Sequence, residues 1–219
     1  MSAASTRSLL KLPAVNHANL VLYMVVGYLV FGALYLGSAS VAFRAPWVLE
    51  PTAIDRAVPF VAGSIWVYLS QFLLLPWALA SARDDAARSR AFYSMLLATM
   101  LSALIFALFP THVPRPPTPT GGLLGLAWQG LRLADTPNNA CPSLHVSLSA
   151  LAGALLWQCK RRLIAVAWPA CITASTLTTR QHVAWDIAGG LLIAALAWFL
   201  IPRLVTYDHA PRADRTAGR

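Results

Sequence analysis

The stretch "NNACPSLHVSLSALAG" (Asn138–Gly153) places a proline, a serine and a histidine at the start of a long apolar segment. That segment does not alternate with period two and is too long for a strand, which predicts a helix. Proline favours the first helical turn, so Pro142 is expected there. The free amides and dipole of that turn bind anions; the Ser143 hydroxyl adds a donor, and His145 is a candidate general acid. Alternatively, both side chains only satisfy backbone groups at a helix end.

The composition of the whole chain is typical of a membrane protein. Of its 219 residues, 58% are hydrophobic and only 11% are charged, and the mean hydropathy is +0.59. A soluble domain of this size carries about 25% charged residues. The net charge of +9 would suggest nucleic acid in a soluble protein. Here the basic residues lie between apolar segments, so orientation in the bilayer explains them better and no nucleic-acid partner is predicted.

Six apolar segments approach the roughly 20 residues that a helix needs to cross a bilayer core about 30 Å thick. We predict an all-α polytopic membrane protein, a six-transmembrane-helix bundle, with an N-terminal segment at 1–18, a six-helix membrane domain at 19–202 and a basic tail at 203–219. The segments are Asn19–Phe43, Val61–Ser81, Ala91–Phe109, Pro142–Cys159, Leu163–Leu177 and Val183–Ile201.

The basic residues predict the orientation of this bundle. Twelve of the seventeen Lys and Arg residues lie in the N-terminal segment, in the stretches 83–90 and 160–162, and in the tail. Their excess places these regions and both termini in the cytoplasm. We therefore expect a multi-pass integral membrane protein. In a bacterium it would lie in the inner membrane, with the active site facing the periplasm or exterior. Three polar clusters then share the non-cytoplasmic face: "FPTHVPRPPT", "NNACPSLH" and "TTRQHVAWD".

Two of these clusters supply candidate catalytic and phosphate-binding residues. His182 and Asp186 are four apart, so on a helix they share one face with Cβ atoms about 6 Å apart. The carboxylate would fix the tautomer of the imidazole and leave its other nitrogen free to attack, unless the pair only caps the helix. The planar guanidinium of Arg115 suits phosphate oxygens, and Arg180 is a second candidate cation. Either arginine is alternatively an interfacial anchor. Together these groups suit in-line displacement at phosphorus.

The ordered motifs are similar to those of a known family. "RP" (Arg115-Pro116), "PSLH" (Pro142–His145) and "HVAWD" (His182–Asp186) occur in the order of the motifs KxxxxxxRP, PSGH and SRxxxxxHxxxD. The chain therefore resembles the phosphatidic acid phosphatase type 2 superfamily, the six-helix membrane relatives of vanadium haloperoxidases. "AIDRAVPF" (Ala53–Phe60) and "IWVYLS" (Ile65–Ser70) also resemble one lipid-active branch of it.

The resemblance implies a role for each matched residue. His182 would attack phosphorus and form a phosphohistidine, Asp186 would orient it, and His145 would protonate the leaving alcohol. Arg115 and the Ser143 region would hold the phosphate. No cofactor and no metal are implied, and the five histidines have no metal-ligand spacing.

Two cations of the family pattern are missing. The lysine of the first motif falls at Leu108 and the arginine of the third at Thr176; Arg180, His112 and Arg132 are candidate replacements. Similar losses occur in the branch of inositol phosphorylceramide and sphingomyelin synthase-like enzymes.

Three functions follow. The first is a lipid phosphatase that hydrolyses a phosphate monoester or diphosphate on the non-cytoplasmic face, the second a lipid phosphotransferase, and the third a non-catalytic transporter or scaffold. The expected partners are a phosphorylated lipid of unspecified headgroup and membrane lipids. The linker Gly121–Asp135, with Trp128, predicts either a short helix on the membrane surface or plain packing. The oligomeric state is not predicted.

Overall fold

A computed structural model describes residues 9–41 and 43–208, and these are mostly helical. Residues 1–8 and 209–219, which belong to the predicted N-terminal segment and basic tail, lie outside the described residues. The helices are α1 (Leu20–Ser40), α2 (Ala53–Ala57), α3 (Ile65–Leu69), α4 (Gln71–Ala80), α5 (Asp85–Leu108), α6 (Gly122–Ala134), α7 (Leu144–Gln158), α8 (Arg162–Thr178) and α9 (Ala184–Leu204). The short strands are β1 (Leu10–Pro13), β2 (Trp47–Val48), β3 (Thr111–His112) and β4 (Val205–Asp208).

All six predicted apolar segments are helical. Four stretches are long and apolar enough to cross a membrane: Leu20–Ser40, Ala62–Ala80, Asp85–Leu108 and Ala184–Leu204. The other two segments form the shorter apolar helices α7 and α8, with 15 and 17 residues. The coarse prediction of an apolar helical protein is therefore confirmed, whereas the count of six spans stays a prediction.

Helix α7 occupies the centre of the bundle and contacts α4, α5, α8 and α9. It packs closely on α8, because a Cβ at Gly153 would lie 2.6 Å from the carbonyl oxygen of Ala165. Helix α1 lies at the periphery, where only Leu20 and Ser38 are buried. The buried core therefore surrounds α7, and α1 covers one side of it.

The predicted cytoplasmic regions meet at one end of the bundle. Strands β1 and β4 pair in parallel, which joins the N-terminal segment to the residues after α9. The hydroxyl of Tyr93 in α5 donates to the carbonyl of Pro13 at 2.7 Å. The guanidinium of Arg161 lies over the ring of Trp77 at 5.3 Å, which brings the α7–α8 turn to the end of α4. The basic stretches within the described residues thus share one end, while their side of the membrane stays a prediction.

The predicted polar clusters lie together at the opposite end. Strand β2 pairs with β3, and the amide of Thr111 donates to the carbonyl of Asn138 at 3.2 Å. The amide of Ser143 donates to the carbonyl of Asp186 at 3.0 Å. These bonds join the loops that follow α1 and α5 to the beginnings of α7 and α9.

The linker before α7 forms the amphipathic helix α6. Its Trp128 is buried, donates its indole N–H to the carbonyl of Ala62 at 3.2 Å, and packs with Ile65 and Tyr68. Of the two alternatives for this tryptophan, packing within the protein is correct, because the start of the second apolar segment covers it.

Candidate active site

His182 and Asp186 form a buried hydrogen-bonded pair. Nδ1 of His182 lies 3.1 Å from Oδ2 of Asp186, and the same oxygen accepts from the amide of Val183 at 3.0 Å. The expectation that both residues lie on one helical face is wrong, because α9 begins at Ala184 and His182 precedes it. The predicted contact is nevertheless present, since Asp186 sits in the first turn and folds back to the chain entering the helix.

This contact sets the tautomer of His182. A carboxylate oxygen accepts hydrogen bonds, so in the neutral imidazole the proton sits on Nδ1 and the lone pair on Nε2. Asp186 is fully buried and His182 is 8% exposed. The amide of His182 also donates to the carbonyl of Thr176 at 3.2 Å, which ties its backbone to the end of α8. The imidazole is therefore oriented with one unprotonated nitrogen.

The start of α7 differs from the prediction. Helix α7 begins at Leu144 with Ser143 as its N-cap, so Pro142 lies outside the first turn, and the Cys141–Pro142 peptide bond is cis. The reason is capping: Oγ of Ser143 accepts from the amide of Val146 at 3.4 Å. The backbone amide of Ser143 donates to the carbonyl of Asp186, so this amide is not available to an anion. The hydroxyl proton of Ser143 is still available.

A close helix contact brings this start of α7 against α9. A Cβ at Gly190 would lie 2.6 Å from the carbonyl oxygen of Ser143, nearer than real Cβ contacts allow. Ser147 donates its hydroxyl to the carbonyl of Gly190 at 3.0 Å. Glycine at 190 therefore allows the two helix beginnings to touch, and this contact sets the distance between the two histidines.

His145 faces His182 across a short gap. Their ring centroids are 6.4 Å apart, and His145 stacks on Tyr68 at 3.8 Å with an interplanar angle of 21°. Its Nε2 is buried and has no hydrogen-bond partner among the described residues. Reacting atoms approach to about 3–3.5 Å before attack, and a general acid lies about 2.6–3.2 Å from its acceptor. The separation of the rings therefore suits one phosphoryl group between them.

Both imidazoles line a cavity of about 560 Å³. Its walls come from α1, α3, α4, α6 and α7 and are mainly apolar, with polar side chains near the histidines. The lining residues include Phe31, Gly32, Tyr35, Leu69, Phe72, Gly130, Leu131, Asp135, Asn139 and Leu144. An apolar cavity with a few convergent polar groups is the usual form of a ligand site.

A second, small cavity of about 30 Å³ is lined by His182, Arg180 and Asp55. Arg180 adopts a left-handed turn with φ of 55°, and its guanidinium donates to the carbonyl of Val58. Of the two arginines predicted to bind phosphate, Arg180 is the one that shares a cavity with His182.

Asp55 is a buried residue that the sequence analysis did not single out. Its Oδ1 accepts from the amide of Ala184 at 2.9 Å, and its Oδ2 accepts from the amide of Thr52 at 2.7 Å. It thereby joins α2 to the first turn of α9. The pattern Thr-x-x-Asp at 52–55 is a capping-box signal that predicts part of this role, although not the bond to Ala184.

Arg115 is paired with a carboxylate, that of Asp135. Its guanidinium forms a salt bridge to Oδ2 of Asp135 at 2.8 Å, and Asp135 also accepts a hydrogen bond from the hydroxyl of Tyr35. Asp135 lines the large cavity, whereas Arg115 lines neither. The carboxylate of Asp135, which no sequence motif indicated, therefore lies between Arg115 and the cavity.

No basic residue stands at either position where the family pattern has a cation. Leu108 is exposed at the end of α5, and Thr176 is buried with its hydroxyl donating to a carbonyl of its own helix. The candidate replacements His112 and Arg132 line neither cavity. Within the described part of the chain, no group of three or more His, Cys, Asp or Glu residues is placed to hold a metal ion.

Several buried polar atoms near the histidines have no hydrogen-bond partner among the described residues. Such atoms are uncommon in native proteins, and a group of them suggests a site for ligand or water. They are Nε of Arg115, Oδ1 of Asn139, Nε2 of His145, Oε1 of Gln181 and Oδ1 of Asp186.

Comparison with protein-family models identifies the family of the chain. A family model described as the PAP2 superfamily matches residues 33–200, a range that includes every candidate site residue. No curated protein shows significant similarity to the chain. Members of this superfamily are generally phosphatases or related phosphotransferases. The match confirms the resemblance inferred from the three motifs.

Proposed function

The chain belongs to the PAP2 superfamily, and from this membership and its paired imidazoles we propose that it is a membrane phosphatase acting on a phosphorylated lipid. The observation that carries the proposal is the position of His145, 6.4 Å from His182 in one apolar cavity. His182 has its Nδ1 bonded to Asp186, so the two rings have different environments and suit different roles.

In the first step, Nε2 of His182 attacks phosphorus while the bond from phosphorus to the ester oxygen breaks. Protonated His145 transfers its proton to the leaving oxygen, and the alcohol departs. The phosphoryl group is then bonded to His182, and the carboxylate of Asp186 stabilises the positive charge on that ring. In the second step, neutral His145 accepts a proton from water, whose oxygen attacks phosphorus while the bond from phosphorus to Nε2 of His182 breaks, which releases phosphate and restores the free imidazole.

The charge on the equatorial phosphoryl oxygens needs donors that are already in place. We assign this role to Arg180, which shares the small cavity with His182, and to the hydroxyl of Ser143 at the start of α7. Arg115 is held by its salt bridge to Asp135 and lines neither cavity, although its Nε–H has no partner among the described residues. We therefore rank Arg180 first and Arg115 second as phosphate ligands.

A lipid substrate is supported by the surroundings of the site. The helices are apolar, and four stretches are long enough to cross a membrane. The site lies at the end of the bundle opposite the basic stretches, which by the positive-inside rule is the non-cytoplasmic end. A phosphorylated lipid would reach this end with its chains still in the bilayer.

A phosphotransferase is the second candidate, and the absence of cations at Leu108 and Thr176 favours it. The first step would be the same. In the second step an alcohol would replace water, giving its proton to His145 while its oxygen bonds to phosphorus.

One experiment separates these functions. The purified protein in nanodiscs is incubated with a panel of lipids labelled in the phosphate, with and without a long-chain alcohol acceptor. Free labelled phosphate supports hydrolysis, and a new labelled lipid supports transfer. His182→Ala is the control and is expected to abolish both products. Turnover by His182→Ala at the wild-type rate would contradict the mechanism, and absence of any product with wild-type protein would favour a non-catalytic role.

A further inference from the structure

We propose that the large cavity binds the apolar chain of the substrate and that Gly32 and Gly130 keep this chain site open. This proposal rests on the proposed function, because the apolar chain in question belongs to the part of the substrate that leaves with the alcohol oxygen. Three independent observations support it: the size and lining of the cavity, the surroundings of the two glycines, and the path by which the cavity reaches the outside of the bundle.

The cavity is far larger than the reaction requires. Its volume is about 560 Å³, whereas one water molecule occupies about 30 Å³ in the liquid. Cavities of about 300–1,000 Å³ bury whole ligands. Beyond the histidines and their polar neighbours, its walls are apolar and include Leu36, Leu69 and Phe72. This lining favours a hydrocarbon chain over a sugar or a charged headgroup, since a buried polar group needs partners that these walls do not offer.

Gly32 and Gly130 are not required by close packing. A Cβ built on either residue meets nothing within 4 Å, and neither residue has a positive φ. By contrast, Gly153 and Gly190 stand where helices touch. Glycine inside a helix costs about 0.5–1 kcal/mol relative to alanine. No helix contact therefore requires glycine at these two positions, and both of them line the large cavity.

The cavity also has an opening through which a chain can enter. Gly130 and Ala134 of α6 and Tyr28 and Leu36 of α1 line it and are exposed on the outside of the bundle. A smaller apolar cavity of about 70 Å³ between α1, α4 and α5 shares Tyr28 and Phe31 with it. The opening between α1 and α6 thus connects the histidines with the surface that faces lipid in the proposed bundle.

The test places a leucine at each glycine. Gly32→Leu and Gly130→Leu are compared with Gly37→Leu in α1 and Gly121→Leu just before α6. A Cβ at either control position also meets nothing within 4 Å, and neither control residue lines the large or the small cavity. Phosphate release is measured with dioleoyl phosphatidate and with p-nitrophenyl phosphate, which has no chain. The milder alanine variants at 32 and 130 are measured in parallel, and thermal unfolding checks that every variant is folded.

We expect Gly32→Leu and Gly130→Leu to lower kcat/KM for dioleoyl phosphatidate at least about tenfold, since a single methylene in an apolar pocket changes this ratio by 10–200-fold. Turnover of p-nitrophenyl phosphate should change less than about threefold, and both controls should behave like wild type. The alanine variants should show a smaller loss in the same direction. Equal effects on both substrates, or no effect on either, would overturn the chain site and leave the phosphatase proposal standing.

Failure of the proposed function gives a different result. If the wild-type protein releases phosphate from neither substrate, the phosphatase proposal is wrong. The chain site is then tested alone with a photoactivatable long-chain alkyl phosphate that carries a diazirine in the chain. Labelling of α1 and α6 that Gly130→Leu prevents and Gly121→Leu does not would support the site, and labelling that is unchanged by Gly130→Leu would refute it.

Discussion

Replacement of Asp186 by asparagine separates the charge of this residue from its geometry. Oδ2 of Asp186 accepts both hydrogen bonds, from Nδ1 of His182 at 3.1 Å and from the amide of Val183 at 3.0 Å. Oδ1 has no partner among the described residues. The carbonyl oxygen of an asparagine can therefore take the place of Oδ2 and keep both bonds. In the opposite orientation, the NH2 group of the asparagine would face two donors, Nδ1–H of His182 and the amide of Val183, so this orientation is unfavourable. The tautomer of His182 should persist, and only the negative charge is lost.

The magnitude follows from the distance. Two unit charges about 4 Å apart interact by roughly 4 kcal/mol at an effective dielectric constant near 20. The positive charge on His182 develops only during attack, so this energy is lost from the transition state. Because about 1.4 kcal/mol corresponds to tenfold in rate, Asp186→Asn should lower kcat about 10³-fold with little change in KM. Asp186→Ala should also lower the free energy of unfolding, since it leaves two buried donors without a partner at about 1–3 kcal/mol each.

Phosphate release from a lipid phosphate in nanodiscs, measured together with thermal unfolding, tests this reasoning. Asp55→Asn is the matched control, because Asp55 is also a buried carboxylate at the start of α9 but binds backbone amides and no imidazole. Each of its oxygens accepts one bond, so asparagine loses an acceptor and should lower stability more than kcat. The reasoning is refuted if Asp186→Asn keeps more than a tenth of the wild-type kcat, or if Asp55→Asn loses as much.

Two further predictions concern the placement of the second histidine. His145→Ala should slow turnover of alkyl phosphates about 10²–10⁴-fold. The leaving group of p-nitrophenyl phosphate departs without a proton, so with this substrate the His145→Ala variant should instead accumulate an acid-labile, base-stable phosphoprotein. His112→Ala is the control. Absence of this phosphoprotein would argue against the role of His145. Gly190→Ala should cost roughly 1–3 kcal/mol of unfolding free energy and lower kcat, because its Cβ would lie 2.6 Å from the carbonyl oxygen of Ser143. Gly37→Ala, where a Cβ meets nothing within 4 Å, is the comparison, and equal stability and activity of the two variants would contradict the importance of this helix contact.

Local features of the site were largely predictable. The contact between His182 and Asp186 spans four residues, so spacing alone indicated it, although capping and not a shared helical face produces it. Ser143 was correctly placed at a helix beginning. Pro142 was not, because Ser143 is the N-cap and the first helical residue is Leu144. In both cases the error came from side-chain bonds to the backbone, which shift the first helical residue.

Partners distant in sequence were not predictable. Arg115 was expected at the phosphate, yet Asp135 binds it, and both lie in irregular chain whose course the apolar pattern does not describe. Asp55 binds the amide of Ala184, although six helices, α3 to α8, separate the two residues in the sequence. The hydrophobic periodicity of the sequence does not indicate such pairs, because they depend on which loops the packed helices bring together.

The sequence alone was enough to predict the apolar helices, the family and the residues that we propose for phosphoryl chemistry. Long apolar segments have few alternatives to a helix, since every backbone polar group must be bonded within the segment. Only the tertiary structure decided that the two imidazoles face each other, that Arg180 and not Arg115 shares a cavity with His182, and that an apolar cavity leads away from them. These features arise where separate helices meet, and close contacts such as that at Gly190 decide how near the helices approach each other.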